Sequence, residues 1–538
     1  MARPLNTLLR RLAPPLLLLA LGLTAAFYPT LFSGFHRMQN DPGDTRHLNY
    51  ILEHDYLWLT RARLDRDLWS PPIFYPVPNA AAYTELLLGA LPFYAPWRLM
   101  RFAPDTSFQL WMFTVSILNF GAMYWLIRRC FALSTLASSL GAFLFAFGSP
   151  RLNQLNHQFL LPQFFTVLAL FSIALLFRAH ASGGCARRCP LFLLGLSGAV
   201  AAQIYTSYYQ GWFLVFALAV ALGCAMLART LRRELFAIIR AHLGAIAVSV
   251  LLCAAALAPL AAHYLAAAKA VGFRRFWEAE GMLPRFQSWF YLGGENWLYG
   301  WMASHDPFIY LPQEWEQRLG LGVVTTAVVL WTLFQHRNRP AIRVTLMTWL
   351  VIVLTATMYR GQISPWKWVF HWVPGASAIR AVCRIGMLAT IPAAFGLALF
   401  IDRARPSTRR WQGLAVGLFC LLEQGRRCLW YDKRPIRQQV AALAAEISPG
   451  CPAFYFACAT LDRPALECQL DAMWAALEAG TATVNGYSSN NPPQFGDLTE
   501  NVIRSPADDE RLRQALQHWE QAYRLDPGSV CRVGLTRD

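Results

Sequence analysis

Apolar blocks of roughly 20 residues alternate with short polar connectors over most of the chain, and a helix of that length crosses the hydrocarbon core of a bilayer. About eleven such blocks can be placed, near 13–32, 107–127, 132–149, 158–177, 191–208, 211–228, 242–262, 319–335, 342–358, 385–401 and 411–423. The pattern breaks in two places. Residues 33–106 mix prolines, aromatics and charge, and include ELLLGALPFYAPW (Glu85–Trp97), apolar but too short to cross, which predicts an interfacial or re-entrant helix. From 424 onward PAFYFACA and SVCRVGL read as strands, LECQLDAMWAALEAG and DERLRQALQHWEQAYRL as helices, and TATVNGYSSNNPPQFGD as a structured loop. The predicted fold class is therefore an all-α polytopic membrane bundle of about eleven transmembrane helices with a small C-terminal α/β soluble domain. The expected divisions are an N-terminal signal-anchor span over 1–32, a first outer loop over 33–106, the multi-span domain over 107–423, and the C-terminal domain over 424–538. Thr24-Ala25-Ala26 loosely resembles a cleavage site, but the run stays apolar to Phe32, which favours a retained anchor over a cleaved signal peptide.

Composition agrees. Of 538 residues 56% are hydrophobic and only 15% charged, which excludes an ordinary soluble chain. The net charge of +17 would point to nucleic acid in a soluble protein. Here the arginines sit in alternate connectors: Arg128/Arg129, Arg178/Arg187/Arg188, Arg229/Arg232/Arg233/Arg240, Arg337/Arg339/Arg343 and Arg403/Arg405/Arg409/Arg410. That is the positive-inside pattern, so the charge is read as topology and no nucleic-acid partner is expected. A multi-pass membrane protein is expected, with a cytoplasmic N-terminus. The longer loops 33–106, 263–318 and 359–384 and the tail then lie outside. Five of the 12 cysteines (Cys428, Cys451, Cys458, Cys468, Cys531) fall in the tail, where an oxidising compartment would permit disulfides whose pairing stays open. No CxxC occurs, and the close pair Cys185 and Cys189 has no ligand partners nearby.

Ionisable residues are nearly absent from the apolar blocks and gather at their outer boundaries, which weakens an ion-coupled transporter and places candidate chemistry at a membrane surface. QNDPGDTRHLNYILEHDY (Gln39–Tyr56) holds Asp41 and Asp44, either of which can accept a proton from an attacking hydroxyl. The alternative is structural: Asp41-Pro42-Gly43 makes a turn and Asp44 an N-cap for the helix that follows, a role compatible with catalysis. Glu53, His54 and Asp55 are expected on the wet face of that helix, opposite Leu48, Ile51, Leu52 and Leu59. In LWSPPIFYPVP, Trp69, Phe74 and Tyr75 suit either stacking on a sugar or interfacial anchoring. Arg151 and His157, in GSPRLNQLNHQF, can reach a phosphate at headgroup depth, with lipid snorkelling as the alternative for the arginine. Arg380 and Arg384, in PGASAIRAVCRIGM, share a helical face as a candidate phosphate clamp, or anchor lipid. Tyr208, in QIYTSYYQGW, has a weak binding role within an aromatic belt that also includes Tyr205 and Tyr209. His305 and Asp306 read as a turn before they read as a metal or base site.

Taken together, one N-terminal span, a long acidic loop, many further spans and a tail resemble the GT-C glycosyltransferases. The chain is most similar to bacterial multi-pass members with a GD motif in loop one, LWSPPIFYP, a PR…H turn (PRLNQLNH), IRAVCR before a late span, and NGYS…PP in the tail. The resemblance covers nearly the whole chain. It implies a polyprenyl-phosphate-linked sugar donor, a catalytic carboxylate falling on Asp44 with Asp41 second, and phosphate contacts on Arg151, His157 and Arg384. The asparagine and tyrosine side chains of GYSSNNPP suit acceptor or sugar contacts, or a structural loop. Many members carry Asp-Glu or Glu-x-Asp where this chain has DPGD, which leaves open which carboxylate is the base and whether a divalent metal (Mg or Mn) takes part. Expected partners are membrane lipids and the lipid-linked donor. A lipid-linked saccharide flippase and a non-catalytic envelope assembly protein are the competing readings.

Overall fold

The computed structural model describes residues 2–60, 67–182, 185–404, 410–459 and 463–534. Arg405 and Arg409 of the basic connectors lie outside these residues, as does the side chain of Arg187. The protein is mostly helical. A helix occupies each of the eleven apolar blocks: α1 Ala2–Phe32, α4 Pro104–Trp125, α5 Thr135–Phe147, α7 Phe164–Ala181, α8 Cys185–Thr206, α9 Tyr208–Leu227, α10 Arg229–Val271, α12 Val323–Gln335, α13 Pro340–Ala356, α15 Thr390–Arg403 and α16 Arg410–Leu422. Among the described residues, 7 helical stretches are long and apolar enough to cross a membrane. The helices at 323–335, 340–356 and 411–422 are shorter. This is a multi-pass membrane protein.

Shorter helices fill the connections: α2 Asp44–Leu59, α3 Leu91–Leu99, α6 Ser149–Leu152, α11 Trp277–Glu280 and α14 Trp366–Trp372. The tail contributes α17 Lys433–Glu446, α18 Ala465–Ala479 and α19 Pro506–Ala522, with strands β3 Ala453–Phe456, β4 Ala482–Thr483 and β5 Val530–Val533 in a parallel sheet of order β4-β3-β5. Two disulfides lie here, Cys451–Cys531 and Cys458–Cys468, while Cys428 is a free buried thiol.

The long loops pack against one another, so they share one end of the bundle. Strand β1 (Arg37–Met38), just after α1, pairs antiparallel with β2 (Tyr431–Asp432) at the start of the tail. Asn296 bridges to Arg426, and Arg285 to Met358. At the opposite end the guanidinium of Arg178 reaches the carbonyls of Arg129 and Cys130, and the Ser134 amide donates to Asp402 at 2.8 Å. Alternate connectors thus meet at opposite ends, as the basic pattern requires.

Within the long-loop end, the region 33–106 and the tail share one hydrophobic core: Tyr50, Ile73, Phe74 and Tyr83 pack with Tyr455, Met473, Phe495 and Trp519. A buried ion pair runs through it, Arg46 NH2 to Asp471 Oδ1 at 2.6 Å, and the Trp474 indole donates to the Arg46 carbonyl at 3.3 Å. Trp69 stacks on His263 of α10 with centroids 3.8 Å apart, and Phe74 is fully buried against Phe495. Trp69 and Phe74 therefore join loop one to helix α10 and to the tail.

Enclosure on every side also overturns the wet-face expectation for α2, which is buried continuously from Thr45 to Asp55. Glu53 accepts from Arg98 at 2.7 and 2.9 Å and from the Tyr94 hydroxyl at 2.7 Å. His54 Nε2 lies 3.0 Å from the Leu68 carbonyl. Both oxygens of Asp55 are buried without a hydrogen bond, on a small cavity of about 20 Å³ shared with His47 and Ser488. Burial pushes the Asp55 carboxyl well above its usual range.

Removing one member of a buried pair costs roughly 3 kcal/mol or more; Arg463 also meets Asp471 at 2.8 Å, so Arg46→Met is expected to cost less than that and to lower the melting temperature of the detergent-purified protein by a few degrees. An unchanged midpoint would show that α2 and α18 are held otherwise. Asp55 carries the opposite sign of dependence from a salt-bridged acid: its stabilisation is complete below the unfolded value of 3.8 and is lost as pH rises through its raised folded value. Asp55→Asn should therefore raise the melting temperature at neutral pH and flatten its decline with pH.

Candidate active site

The site is built from the start of α2. Gly43 occupies the N-cap position, and Asp44 is the first helical residue. Asp41 Oδ1 accepts the amides of Gly43 at 2.9 Å and Asp44 at 3.0 Å, a side-chain turn typical of Asp-Pro-Gly. The expected N-cap role of Asp44 thus passes to Asp41 in the preceding turn, and the Asp44 carboxylate is left to project from the positive end of the helix. It accepts from the Tyr487 hydroxyl at 2.6 Å and lies 3.2 Å from His157 Nε2, with about 32% of its side chain exposed. The other Asp41 oxygen is buried without a hydrogen bond. Burial and the neighbouring Asp44 charge push the Asp41 carboxyl up, against the pull of the two amides.

From Asp44 a line of charges runs inward. His157 Nδ1 faces Gln154 Oε1 at 2.9 Å, while Nε2 is also 3.7 Å from Glu316 Oε1. Both ring nitrogens thus face side-chain oxygens. Glu316 is only 2% exposed and meets Arg384 as a fork, at 2.7 and 3.2 Å. The Arg384 guanidinium lies between the rings of Phe159 and Tyr209, 5.4 and 5.1 Å from their centroids.

The electrostatics follow. Burial alone would raise the Asp44 carboxyl, but the hydrogen bond and charge of His157, the Tyr487 hydroxyl and His47 outweigh it and hold the group well below the usual carboxylate range. Glu316 is likewise opposed by burial, yet the charges of Arg384 and His157 bring it down to about 2. His47, beneath Tyr487 with ring centroids 5.1 Å apart, is pushed down to about 4 by burial against the pull of Asp44, so it is neutral at physiological pH.

Of the residues singled out by sequence, Asp44, His157 and Arg384 converge. Arg380 does not share a helical face with Arg384, because the short helix begins only at Val382. Its amide is held by the Tyr209 hydroxyl at 3.1 Å, and its half-buried guanidinium forms no hydrogen bond or ion pair among the described residues, with its charge felt at Tyr487. Arg151 is 2% exposed and donates to the carbonyls of Phe145 and Leu161 and to Gln163, so it staples its own turn and faces neither lipid nor the site. The Tyr208 hydroxyl donates to the Gly375 carbonyl at 2.9 Å, a structural contact. His305 is exposed and bonds within its own turn. Glu316 and Gln154 were not singled out by sequence, and Tyr487 only as part of GYSSNNPP.

No group of three or more His, Cys, Asp or Glu side chains among the described residues is placed to hold a metal ion. Asp44, His157 and Glu316 form a line and do not surround a point, and Glu316 is already neutralised by Arg384. The residues present therefore do not fit a ready metal cage, and the chemistry considered below belongs to protein groups.

No protein-family model and no curated protein sequence matches the chain. Solved structures do. The oligosaccharyltransferase of Archaeoglobus fulgidus, in a complex with Zn and sulfate, aligns with 94% of this chain and 66% of its own at 11% identity and a TM-score of 0.55. A structure of the archaeal oligosaccharyltransferase AglB from Archaeoglobus fulgidus, with an inhibitory peptide and a dolichol-phosphate, aligns with 95% of this chain and 68% of its own at 10% identity and a TM-score of 0.52. The chain shares their fold, in keeping with its GT-C resemblance, and spans about two thirds of the first neighbour's length.

Glu316 gives the site a defined acid response. Its stabilisation is complete above the unfolded value of 4.5 and is lost as pH falls toward about 2. Glu316→Gln is expected to lower the melting temperature at neutral pH and to reduce the acid sensitivity across that window, with the share of Asp44 remaining, measured by a melting series against pH.

Proposed function

We propose that the protein is a glycosyltransferase of GT-C type, moving a sugar from a polyprenyl-phosphate donor to an acceptor at the outer face of the membrane. The observation that carries this reading is the convergence on Asp44 of His157, Glu316 and Arg384, from chain segments far apart in sequence, at the end of the bundle where the long loops meet. The shared fold with lipid-linked sugar transferases supports it, and the enclosed, cation-lined setting suits a leaving phosphate.

In this mechanism the acceptor hydroxyl hydrogen-bonds to Asp44 and attacks the anomeric carbon from the side opposite the phosphate. The new C–O bond forms as the bond to the phosphate oxygen breaks, the lipid phosphate departs with the bonding pair, and the hydroxyl proton passes to the Asp44 carboxylate. A carboxylate held so acidic is a weak base. It suffices because the hydroxyl becomes strongly acidic once its oxygen has bonded to carbon, and until then the carboxylate orients the nucleophile and stabilises positive charge on the sugar ring. The half-buried guanidinium of Arg380 supplies positive charge for the departing phosphate, and His157 holds the Asp44 carboxylate in place beside it. Arg384 acts one step back, fixing Glu316 and through it the imidazole. Inversion needs one such carboxylate, and Asp41, occupied in the turn, is not required as a second.

The test is transfer by membranes containing the full chain supplied with a polyprenyl-phosphate sugar, read as release of lipid phosphate. Asp44→Asn is expected to lower the rate by about 100-fold or more while leaving the melting temperature within a few degrees. Asp41→Asn should cost less. Wild-type rates in both variants would remove Asp44 from the chemistry, and transport of the lipid-linked sugar with no new glycosidic bond would replace the transferase reading by a flippase.

A further inference from the structure

The first turn of α9 is closed by a residue from a distant loop. Ser207 occupies the N-cap and its hydroxyl accepts the Gln210 amide at 3.3 Å. The amide of Tyr208 donates to Glu85 Oε2 at 2.7 Å, and that of Tyr209 also points to this carboxylate. Helix-start amides need such acceptors, and a carboxylate there gains from the helix dipole. Glu85 is only 9% exposed, and the segment after it is pressed onto the helix turn: Gly89 donates to the Tyr205 carbonyl at 3.1 Å.

The two tyrosines so fixed are not idle. The Tyr208 hydroxyl donates to the carbonyl of Gly375, where φ is +79 and any Cβ would overlap that hydroxyl. The Tyr209 hydroxyl accepts the amides of Arg380 at 3.1 Å and Ala381 at 3.3 Å, and its ring flanks Arg384. Both ends of the Gly375–Ala381 run therefore hang from the first turn of α9.

We propose that Glu85 is a positioning residue for the phosphate-holding Arg380: it fixes the turn bearing Tyr208 and Tyr209, and these hold the run that delivers Arg380 and leads into Arg384, the partner of Glu316. This rests on the reading of Arg380 as a phosphate contact given above. Glu85 itself touches no substrate.

The probe is undecaprenyl phosphate, titrated into the detergent-purified full chain. Glu85→Ala and Tyr209→Phe are each expected to weaken binding about tenfold, and the double variant to be no more than about twofold weaker than either, because both cut one chain of contacts. Glu85→Gln, which keeps an oxygen acceptor for the Tyr208 amide, should stay within about threefold of wild type. Arg380→Ala separates the two readings. Wild-type binding by Arg380→Ala would overturn the phosphate role itself. Weakened binding by Arg380→Ala, together with unchanged binding by Glu85→Ala or fully multiplicative effects of Glu85→Ala and Tyr209→Phe, would overturn the positioning role alone. If Glu85→Ala does not fold, Tyr209→Phe carries the test, since it removes the hydroxyl that holds Arg380 and Ala381: a tenfold loss supports the proposal, and wild-type binding overturns it.

Discussion

A buried charge can stay buried only if an opposite charge or a full set of hydrogen bonds meets it, and this constraint organises the long-loop end of the molecule. Glu316 in isolation would be expensive at its depth, as would Arg384. Each is tolerable because the other is within 3 Å, and His157 bridges the pair to Asp44 at the rim. The four residues come from loop one, the turn after α5, the loop before α12 and the approach to α15. None of these segments brings its charge inside at acceptable cost unless the others are already there. Their assembly is therefore cooperative, and it delivers the one partly open member of the line, Asp44, to a fixed place.

The tail completes this arrangement and does not merely hang from the bundle. Tyr487 donates to Asp44, Asp471 meets Arg46 two residues further along α2, and Trp474 closes over the same helix. Helix α2 thus has membrane helices on one side and the tail on the other. That enclosure explains why its charged residues turn inward, Arg46 and Glu53 to partners of their own and Asp55 with a carboxyl pushed well above its usual range.

How far the sequence foretold this depends on the range of the interaction. Helices are legible in the apolar blocks because periodicity and length are local properties, and the alternation of basic connectors with long loops reports which ends meet. Asp44, His157 and Arg384 were legible as charges beside apolar blocks. The failures share one cause. Glu53 and Asp55 were placed on a wet face because amphipathic reasoning allows a helix one dry side, and here a second layer covers the other. Arg151 looked free because its acceptors are backbone carbonyls, which leave no trace in residue identity. Glu316 passed unnoticed because the partner that gives it meaning is 68 positions away, and Tyr487 meets Asp44 across 443.

Helix α10 runs for 43 residues and is broken at His242; at 1.5 Å per residue the stretch beyond the break rises about 43 Å, more than the hydrocarbon thickness. Its far end is fastened to loop one: His263 stacks on Trp69 and bonds Asn79, and the Tyr264 hydroxyl donates to the Thr84 carbonyl. Thr84 in turn touches His47, beneath the ring of Tyr487. Loop one is thereby tied to a membrane-length helix through the same few side chains that surround Tyr487, so the attitude of that helix and the spacing around Tyr487 are one mechanical unit.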